Sequence, residues 1–316
     1  MKIDISVITP TRNRAETLHR VYNSLKNQEF KNFEWIVCDD ASYDNTLNLL
    51  EQYKKEAKFK IRIFSFKERA GKPKIDNFCL KKAAGKFVIF ADSDDAFKKN
   101  SFKDFINEWS LIPSNKKKNI FAIISRVTTP EGKPLESKLN FRDRSISLLD
   151  LWDKYKKKKE KWLFIKKNIL VKYKFPEIDY YIPEGIIWEK ISLNYNVWIL
   201  DNCYRVFYSD TTNSVTHSKK IKYTIGQLKS YELFILKNKN KYNKPHNTKA
   251  LVNYYRYLLI NNIFFNYNVK DKIKIKNTAK LIYRTLAFIL FFKDLITFNI
   301  DNEYYKKNLS KPIEIK

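Results

Sequence analysis

Short apolar runs and helix-like stretches alternate along the first 95 residues, and this rhythm constrains the fold more than any other feature. The segment 3–9 is short and rich in β-branched residues, which is typical of a buried strand. In segment 15–28, apolar side chains recur at helical spacing instead. The same alternation continues at 33–38, 44–57, 61–66, 74–84 and 87–91. It predicts βαβ units, and therefore an α/β, Rossmann-like fold with a mostly parallel sheet flanked by helices.

The chain after residue 110 is less regular. Its predicted strands are 120–127, 197–200 and 204–208, and its predicted helices are 147–159 and 183–195. Two later segments, 251–267 and 278–298, interleave large apolar and aromatic residues with Lys and Arg at helical spacing. The polar stretch 238–248 precedes them and is predicted to be a junction.

Glycine and cysteine are both rare, and each scarcity excludes a class of protein. The 5 glycines form neither G-x-G-x-x-G nor G-x-x-x-x-G-K-[ST], so any nucleotide is held without a glycine-rich phosphate loop. The 3 cysteines form no C-x-x-C motif, which argues against a zinc ribbon and favours a reducing compartment. The longest apolar stretch, 281–292, is shorter than the roughly 20 residues of a membrane span. We therefore expect a cytoplasmic protein that does not cross a membrane.

Positive charge is abundant and unevenly distributed. The chain has 62 Lys and Arg against 34 Asp and Glu, a net charge of +28. Residues 1–50 carry a net charge of −1, whereas residues 201–316 hold 22 basic and 8 acidic residues. Basic aromatic helices suit an anionic membrane surface, but they also pack on a main domain with only their lysines in water, or bind nucleic acid. The charge pattern alone leaves these three alternatives open.

Three polar clusters follow predicted strands, where ligands bind in open parallel sheets. They are residues 10–13, 39–42 and 92–95. In the last cluster, Asp92, Asp94 and Asp95 place three carboxylates within four residues, so their mutual repulsion needs a cation or solvent to relieve it. Carboxylates suit Mg²⁺ or Mn²⁺ that keeps other positions for phosphate oxygens. The alternative is an acidic turn that is merely solvated.

The paired aspartates Asp39 and Asp40 offer hydrogen-bond acceptors at a neighbouring strand end. A carboxylate there can accept from a nucleobase imide N–H or a ribose hydroxyl, a contact that discriminates well when buried. The alternative is capping of the helix that begins near Asp44, since Asp and Ser are favoured at such positions.

A resemblance to family-2 glycosyltransferases, which have the GT-A fold, rests on the segments ISVITPTRNRAETLHRVYNSLKNQEFKNFEWIVCDDASYDNT and AAGKFVIFADSDD. The likeness covers residues 3–110, in order and with the expected spacing. It implies an inverting enzyme that takes a sugar from a nucleotide donor, usually a UDP-sugar. It also implies a divalent cation, Mn²⁺ or Mg²⁺, at the D-x-D element.

The resemblance implies roles for individual residues by position. Asp94 would bind the cation beside the diphosphate, and Asp92 would face the ribose. His217 would add a further metal or diphosphate contact; the alternative is a loop histidine without a role. The residues implied for the donor site are Pro10, Thr11, Arg12, Asp39, Asp40, Lys72, Lys74, Asn77, Asp92 and Ser93. Two positions depart from the family pattern: Ala41 replaces the usual glycine, and Asp76 replaces the arginine of a frequent Arg-Asn pair.

The acceptor-side segment, 175–195, resembles the family more loosely. Where the family places a Glu-Asp pair at a helix start, this chain has Glu184 followed by Gly185. The resemblance implies that Glu184 deprotonates the acceptor hydroxyl; the alternative is a glutamate at a helix start without a catalytic role. Trp188 lies on the same helical face, where it would stack on an acceptor sugar or belong to the core.

We therefore predict a GT-A catalytic domain over 1–215, with a nucleotide-sugar-binding half at 1–110 and an acceptor-side half at 111–215. A basic amphipathic helical region at 216–316 would contact an anionic membrane surface at the inner face of the cell membrane.

The predicted reaction moves a hexose or N-acetylhexosamine from a UDP-sugar to a glycan or lipid-linked acceptor. It would serve the synthesis of bacterial capsule, lipopolysaccharide or another surface polysaccharide, and no nucleic-acid partner is expected. The alternatives are a basic nucleic-acid-binding protein, or a sugar nucleotidyltransferase, which normally has the glycine-rich loop that this chain lacks.

Overall fold

The chain forms a mixed α/β sheet followed by long helices. The computed structural model describes residues 3–139, 141, 143–153, 155, 159–177, 181–210, 224–238, 244–264 and 277–297. The chain falls into two compact units. The first comprises Met1–Tyr180 and Ile187–His217, and the second comprises Tyr181–Ile186 and Ser218–Lys316. The predicted domain boundary between residues 215 and 216 lies outside the described residues.

The predicted alternation over residues 1–95 is confirmed element by element. The strands are β1 (Ile5–Thr11), β2 (Phe33–Asp40), β3 (Lys60–Phe66) and β4 (Phe87–Phe90), and the helices are α1 (Leu18–Lys26), α2 (Thr46–Glu56) and α3 (Lys72–Lys82). The four strands are parallel and lie in the order β3-β2-β1-β4. Their carboxyl ends therefore meet at one edge of the sheet.

The second half of the first unit extends the same sheet. Its elements are β5 (Ala96–Phe97), α4 (Ser101–Leu111), α5 (Ser114–Lys117), β6 (Ile120–Thr128), β7 (Ser145–Ile146), α6 (Leu148–Asp153), β8 (Lys161–Lys166), α7 (Lys167–Leu170) and β9 (Asn196–Val206), together with α8 (Gly185–Ser192), whose first two residues belong to the second unit. The order continues from β4 through β8, β6 and β9 to β5, and β7 pairs with β9. Strand β8 runs antiparallel to both of its neighbours, and the two-residue strands β5 and β7 run antiparallel to β9. The longer strands β1, β2, β3, β4, β6 and β9 run in one direction, so the sheet is mixed but mostly parallel.

Two predictions in this half need correction. The helix predicted over 147–159 is described only as Leu148–Asp153, and the sheet strand β8 that follows was not predicted. The run of lysines before β8 is typical of the end of a helix, and β8 itself has only six residues, so the sequence pattern gives little indication of this strand. The strands predicted at 197–200 and 204–208 form one strand, β9, whose pairing with β6 is interrupted by register shifts.

Apolar side chains on the central strands hold the site-bearing edge in place. Val7, Trp35 and Ile89 are fully buried and belong to one core cluster with the helices packed on the sheet. Burial of a large side chain of this kind contributes about 1.5–3 kcal/mol relative to exposure. The Trp35 indole N–H also donates to the Thr9 hydroxyl at 2.9 Å, which satisfies both buried polar groups.

Between residues 218 and 316, the described part of the second unit is helical. It contains α9 (Thr224–Asn238), α10 (Lys244–Phe264) and α11 (Asn277–Thr297), which confirms the two predicted basic aromatic helices. Its core includes Tyr254 and Tyr255 of α10 together with Ala287 and Phe291 of α11. Among the described helices, none is long and apolar enough to cross a membrane.

Candidate active site

The loops after β1, β2 and β4 come together at the carboxyl edge of the sheet. The register pairs Thr11 with Asp39 and then Asp39 with Ser65, so the strand ends lie side by side. Residue Thr11 is buried, and its hydroxyl has no hydrogen-bond partner among the described residues. Pro10 precedes it on β1, where it pairs with Cys38.

Residues 39–42, the paired-aspartate loop, use their carboxylates to hold backbone. Asp39 is fully buried and accepts hydrogen bonds from the backbone N–H and the hydroxyl of Ser42. This turn places Ala41 at a φ of 55°, in the left-handed region that favours glycine. Because Ala41 has a Cβ and the family's usual glycine does not, its backbone is strained here, and the hydrogen bonds between Asp39 and Ser42 maintain this conformation.

Asp40 fixes the start of α3. One of its carboxylate oxygens accepts the backbone N–H of Ala70 at 2.5 Å, and the other accepts that of Gly71 at 3.1 Å. Gly71 directly precedes α3 and has a φ of 85°, which glycine adopts without strain. Asp40 is itself buried, so its carboxylate is built into the loop that leads to Lys72.

Arg12 and Asn13 lock the loop after β1 onto the paired-aspartate loop. The Arg12 guanidinium donates to the backbone carbonyls of Asp40 at 2.5 Å and Ala41 at 3.0 Å. The backbone N–H of Asn13 donates to the Ser42 hydroxyl at 2.8 Å. Arg12 therefore positions the two loops relative to each other.

The capping alternative for the paired aspartates is not what the structure shows. The residue that holds the start of α2 is Asp44, which accepts the backbone N–H of Thr46 at 3.0 Å and that of Ala15 at 3.1 Å. Burial alone would raise the pKa of Asp44, but these hydrogen bonds and the Thr46 hydroxyl lower it overall.

Residues 92–95, the acid loop, are arranged around an arginine of β9, the strand that pairs with β5 directly after the loop. Arg205 of β9 donates from Nε to Asp95 at 2.5 Å and from Nη2 to Asp92 at 2.6 Å. Burial would raise the pKa of Asp92, but Arg205 and then Lys72 lower it overall. Burial raises the pKa of Asp95 to about 7, against the opposing effect of Arg205. Two of the three carboxylates are therefore compensated by one guanidinium.

Asp94 is the carboxylate of the acid loop to which Arg205 does not donate a hydrogen bond. No hydrogen bond or ion pair joins its carboxylate to another side chain in the described part of the chain. Burial and the neighbouring Asp92 raise its pKa, while Arg14 and Arg205 act in the opposite direction. A carboxylate under this penalty is stabilised by a nearby cation, so the acid loop can accept one.

The donor atoms present fit a hard divalent cation. Among the described residues, no three His, Cys, Asp or Glu side chains converge to hold a metal ion on their own. Mg²⁺ commonly takes one or two carboxylates from the protein and completes its shell with water and substrate phosphates. Asp94 can supply such a carboxylate; His217, the second predicted metal contact, lies outside the described residues.

Arg20 of α1 braces the backbone of the acid loop. It donates from Nη1 to the carbonyl of Asp94 at 3.1 Å and forms a bidentate pair with Asp210, at 2.7 Å for the closer contact. Its guanidinium also lies 4.0 Å from the centre of the Tyr208 ring. On the same helix turn, the Thr17 hydroxyl donates to the carbonyl of Ser93 at 3.2 Å.

The three predicted donor-site residues of α3 have different surroundings. Lys72 forms an ion pair with Asp76 at 3.0 Å and lies near enough to Asp92 to lower its pKa. Lys74 instead lies 5.9 Å from the centre of the Phe66 ring. The Asn77 amide is bonded to the acceptor-side segment, donating to the Phe175 carbonyl and to Glu177 at 2.8 Å each.

On the acceptor side, the structure favours the core interpretation of Trp188. Its side chain is only 7% exposed and packs edge-on against Phe175 at 6.0 Å between ring centres. This leaves little of the ring for a sugar to stack on. Glu184 directly precedes α8, and its role as a base stays a prediction.

Sequence reasoning missed three basic residues of this site: Arg14, Arg20 and Arg205. A signal existed for Arg205, because a lone arginine within an aromatic strand segment, CYRVFY, needs an acidic partner when buried. Arg20 belongs to the helix predicted over 15–28 and looks like an ordinary solvent-facing residue in sequence. Its partner Asp210 is 190 positions away, which no local pattern reveals.

Two known relatives illustrate what the chain is similar to in sequence. The poly(ribitol-phosphate) beta-N-acetylglucosaminyltransferase TarS of Staphylococcus aureus is 40% identical over 109 residues, which are 33% of this chain but only 19% of TarS. The GalNAc(5)-diNAcBac-PP-undecaprenol beta-1,3-glucosyltransferase of Campylobacter jejuni is 27% identical over 267 residues, 80% of each chain. The chain thus covers about a fifth of the length of TarS, and most of the Campylobacter enzyme.

Solved structures show the same fold. S. aureus TarS 1–349 in complex with UDP-GlcNAc superposes with a TM-score of 0.60 at 20% identity, covering 92% of this chain and 81% of that one. The Pyrobaculum calidifontis mannosyltransferase PcManGT, in complex with GDP-Man and Mn²⁺, superposes with a TM-score of 0.54 at 15% identity, covering 93% and 88%. The predicted GT-A fold is therefore confirmed.

The family model described as glycosyl transferase family 2 matches residues 6–165, which is half of the chain. That span contains β1 to β4, the paired-aspartate loop and the acid loop. The chain belongs to glycosyl transferase family 2.

Proposed function

We propose that this chain is an inverting glycosyltransferase that moves a hexose or N-acetylhexosamine from a UDP-sugar to a glycan or lipid-linked acceptor. The observation that carries the proposal is the acid loop, in which Arg205 pairs with Asp92 and Asp95, while Asp94 has no side-chain partner among the described residues and has a raised pKa. A carboxylate in that state, at the ligand-binding edge of a parallel sheet, suits a cation that accompanies a diphosphate.

The donor would lie along the carboxyl edge of β1, β2 and β4. Asp94 would hold Mn²⁺ or Mg²⁺, which, when bound, offsets the negative charge that develops on the departing diphosphate. Arg14 and Lys72 both lower the pKa of Asp92, so they add positive potential where the diphosphate would lie. They are our candidates for the basic phosphate contact that the sequence left open.

The buried hydroxyl of Thr11 and the carboxylates of Asp39 and Asp40 are the groups that we propose to face the nucleoside. Asp39 and Asp40 already hold loop backbone, so they would shape the nucleoside site as well as contact it. Asn77 would act through the acceptor-side segment that it holds, rather than through the donor.

The reaction itself would be a single displacement. The acceptor hydroxyl oxygen would form a bond to the anomeric carbon as the bond from that carbon to the UDP oxygen breaks, and the hydroxyl proton would pass to Glu184. UDP would leave with the bonding electron pair. One displacement inverts the anomeric configuration.

The acceptor and the location are further parts of the proposal. TarS is named for a poly(ribitol-phosphate) acceptor and the Campylobacter enzyme for an undecaprenol-linked one, so a surface glycan or lipid-linked glycan is our proposed acceptor class. We place the enzyme at the inner face of the cell membrane, with the basic C-terminal region toward anionic lipid. Three free cysteines accord with a reducing compartment.

The two other classes have less support. The family that the chain belongs to consists of glycosyltransferases, which favours sugar transfer over nucleotidyl transfer. The proposed donor edge is lined by acids, and residues 1–50 carry a net charge of −1, which does not suit a phosphate-backbone groove.

The test is a panel of UDP, GDP, CDP and their sugars, with and without Mn²⁺, read by thermal shift and by release of nucleoside diphosphate. We expect stabilisation by uridine nucleotides only when the cation is present, and release of UDP from one or more UDP-sugars. A matched control is Glu131→Gln, which removes an exposed carboxylate 36 or more positions after the acid loop and should change neither readout. Stabilisation by no uridine nucleotide would overturn the proposal.

A further inference from the structure

Helix α11 presents an unusually apolar face to solvent. Six large apolar side chains of this helix are between 43% and 68% exposed. They are Leu281, Ile282, Leu286, Phe288, Ile289 and Phe292. Throughout the described residues of the first unit, only Tyr43, Leu111, Tyr155 and Val171 are large, apolar and comparably exposed, and they are scattered singly. A contiguous apolar face of this size marks an interaction surface.

The spacing of these residues puts them on one side of the helix, which we call the α11 face. Positions 281, 285, 288 and 292 form one row, and positions 282, 286 and 289 form the adjacent row. The opposite side contains Ala287 and Phe291, which are buried in the core of the second unit. The α11 face is therefore separate from the side that holds the helix in its fold.

Polar groups on the α11 face are satisfied or lie at its border. The hydroxyl of Thr285, within the first row, donates to the backbone carbonyl of Leu281 at 3.1 Å and so needs no partner from outside the helix. Arg284 is exposed at the border, with its guanidinium 5.5 Å from the centre of the Tyr255 ring. An apolar face with a basic border is typical of a helix that lies in a membrane interface.

The charge of the surrounding region selects between a lipid surface and a second copy of this chain. Residues 218–316 contain 21 Lys and Arg against 6 Asp and Glu, a net charge of +15. Two copies docked through this region would bring like charges together, whereas an anionic bilayer offers the complementary charge. Because α11 is not apolar enough to span a bilayer, the fitting geometry is one parallel to the surface.

We propose that the α11 face inserts into the interfacial layer of an anionic bilayer, so that membrane binding depends on these apolar side chains as well as on the lysines. The biological reason for this binding rests on the proposed function, because an enzyme reaches a lipid-linked acceptor from the membrane surface. Its physical basis, the exposed face, does not depend on the reaction.

The experiment is flotation of the full chain with vesicles of phosphatidylcholine alone, and with vesicles that also contain phosphatidylglycerol, at low and high salt. We expect binding to the anionic vesicles that persists in part at high salt, because salt screens the charges but not the apolar contacts. The double variant Phe288→Ser/Phe292→Ser should reduce partitioning roughly 100-fold, since each large apolar side chain contributes about tenfold. Ile282→Ser/Ile289→Ser, on the neighbouring row, should act alike.

The control is Leu111→Ser, which removes an equally exposed leucine from the first unit and should float like the wild type. Wild-type protein that does not float, or variants of the α11 face that float unchanged, would overturn the inference. A third result would also overturn it: the wild type does not bind vesicles but sediments as an oligomer, and both double variants sediment as monomers. Release of UDP is measured on the same preparations, so loss of turnover with normal flotation contradicts the proposed function and leaves this inference standing.

Discussion

The paired-aspartate loop and the acid loop have similar compositions and use their carboxylates in opposite ways. In the first, Asp39 and Asp40 are saturated by donors from their own neighbourhood, chiefly backbone N–H groups and Ser42. In the second, Asp92 and Asp95 are paired with one arginine that is distant in sequence, and Asp94 has no side-chain partner among the described residues. Under the proposed function, one loop would shape the site and the other would supply the carboxylate that holds the cation.

The strongest test of this contrast is Asp94→Asn. We expect UDP release to fall roughly 1,000-fold, because the variant loses the carboxylate that would hold the cation. The free energy of unfolding near neutral pH should not decrease. The raised pKa means that ionised Asp94 is penalised in the folded state, so an uncharged side chain of the same shape removes a cost. Turnover is measured with saturating Mn²⁺ and stability by urea denaturation; a large loss of stability would make Asp94 structural.

Arg205→Met removes the guanidinium that pairs with Asp92 and Asp95. Removing one partner of a buried ion pair typically costs about 3–5 kcal/mol, because the remaining charge is uncompensated. We expect a loss of stability in that range and a fall in turnover of roughly 100-fold. Arg205→Lys should restore part of the stability but not both contacts, since an ammonium cannot reproduce the fork to Asp92 and Asp95. Equal stability of Met and Lys variants would contradict this account.

The pH dependence of cation binding distinguishes the two loops without any change in fold. Because burial and Asp92 raise the pKa of Asp94, its proton must leave before a cation binds, and this loss occurs at higher pH than for an ordinary aspartate. Apparent affinity for Mn²⁺ with UDP should therefore fall as pH decreases, by up to about tenfold per pH unit below that pKa. Calorimetric titration across pH checks this, and the slope should become shallower in Asp94→Asn.

In the paired-aspartate loop, Asp40→Ala should affect stability first. It leaves the backbone N–H groups of Ala70 and Gly71 without their acceptor, at a cost of roughly 1–3 kcal/mol for a buried group. The start of α3 loses its anchor, so we expect KM for the donor to rise about tenfold while kcat changes little. Steady-state kinetics separate the two constants. A fall in kcat as large as that of Asp94→Asn would show that Asp40 is reactive rather than architectural.

Sequence patterns predicted the donor-side half well and the acceptor-side half poorly, for a physical reason. Strands β1, β2 and β4 are buried and separated by amphipathic helices, so each has a local signature, and the loops that follow them are local as well. Strand β8 is short, follows a run of lysines and is held by antiparallel pairing to β4 and β6. Its register depends on partners far away in sequence.

The same distinction explains what was missed in the site. Asp92, Asp94 and Asp95 are adjacent in the chain, so their crowding is visible in the sequence. That one arginine pairs with two of them and not with the third is visible only when β9 is placed beside β5, since Arg205 lies 110 positions from Asp95. Likewise, burial decides between the two interpretations of Trp188, and burial is a property of the packed core.

The smallest expected effect tests whether the paired-aspartate loop is mainly backbone architecture. Ala41 has a φ of 55°, a conformation that costs a residue with a Cβ about 1–2 kcal/mol. Ala41→Gly relieves that cost but adds freedom to the unfolded chain, so we expect a net gain of roughly 0.5–1 kcal/mol in the free energy of unfolding. Turnover should be unchanged, because the Asp39–Ser42 contacts already hold the turn. Urea denaturation measures the gain, and a variant that is less stable than the wild type would mean that the turn does not impose the left-handed conformation.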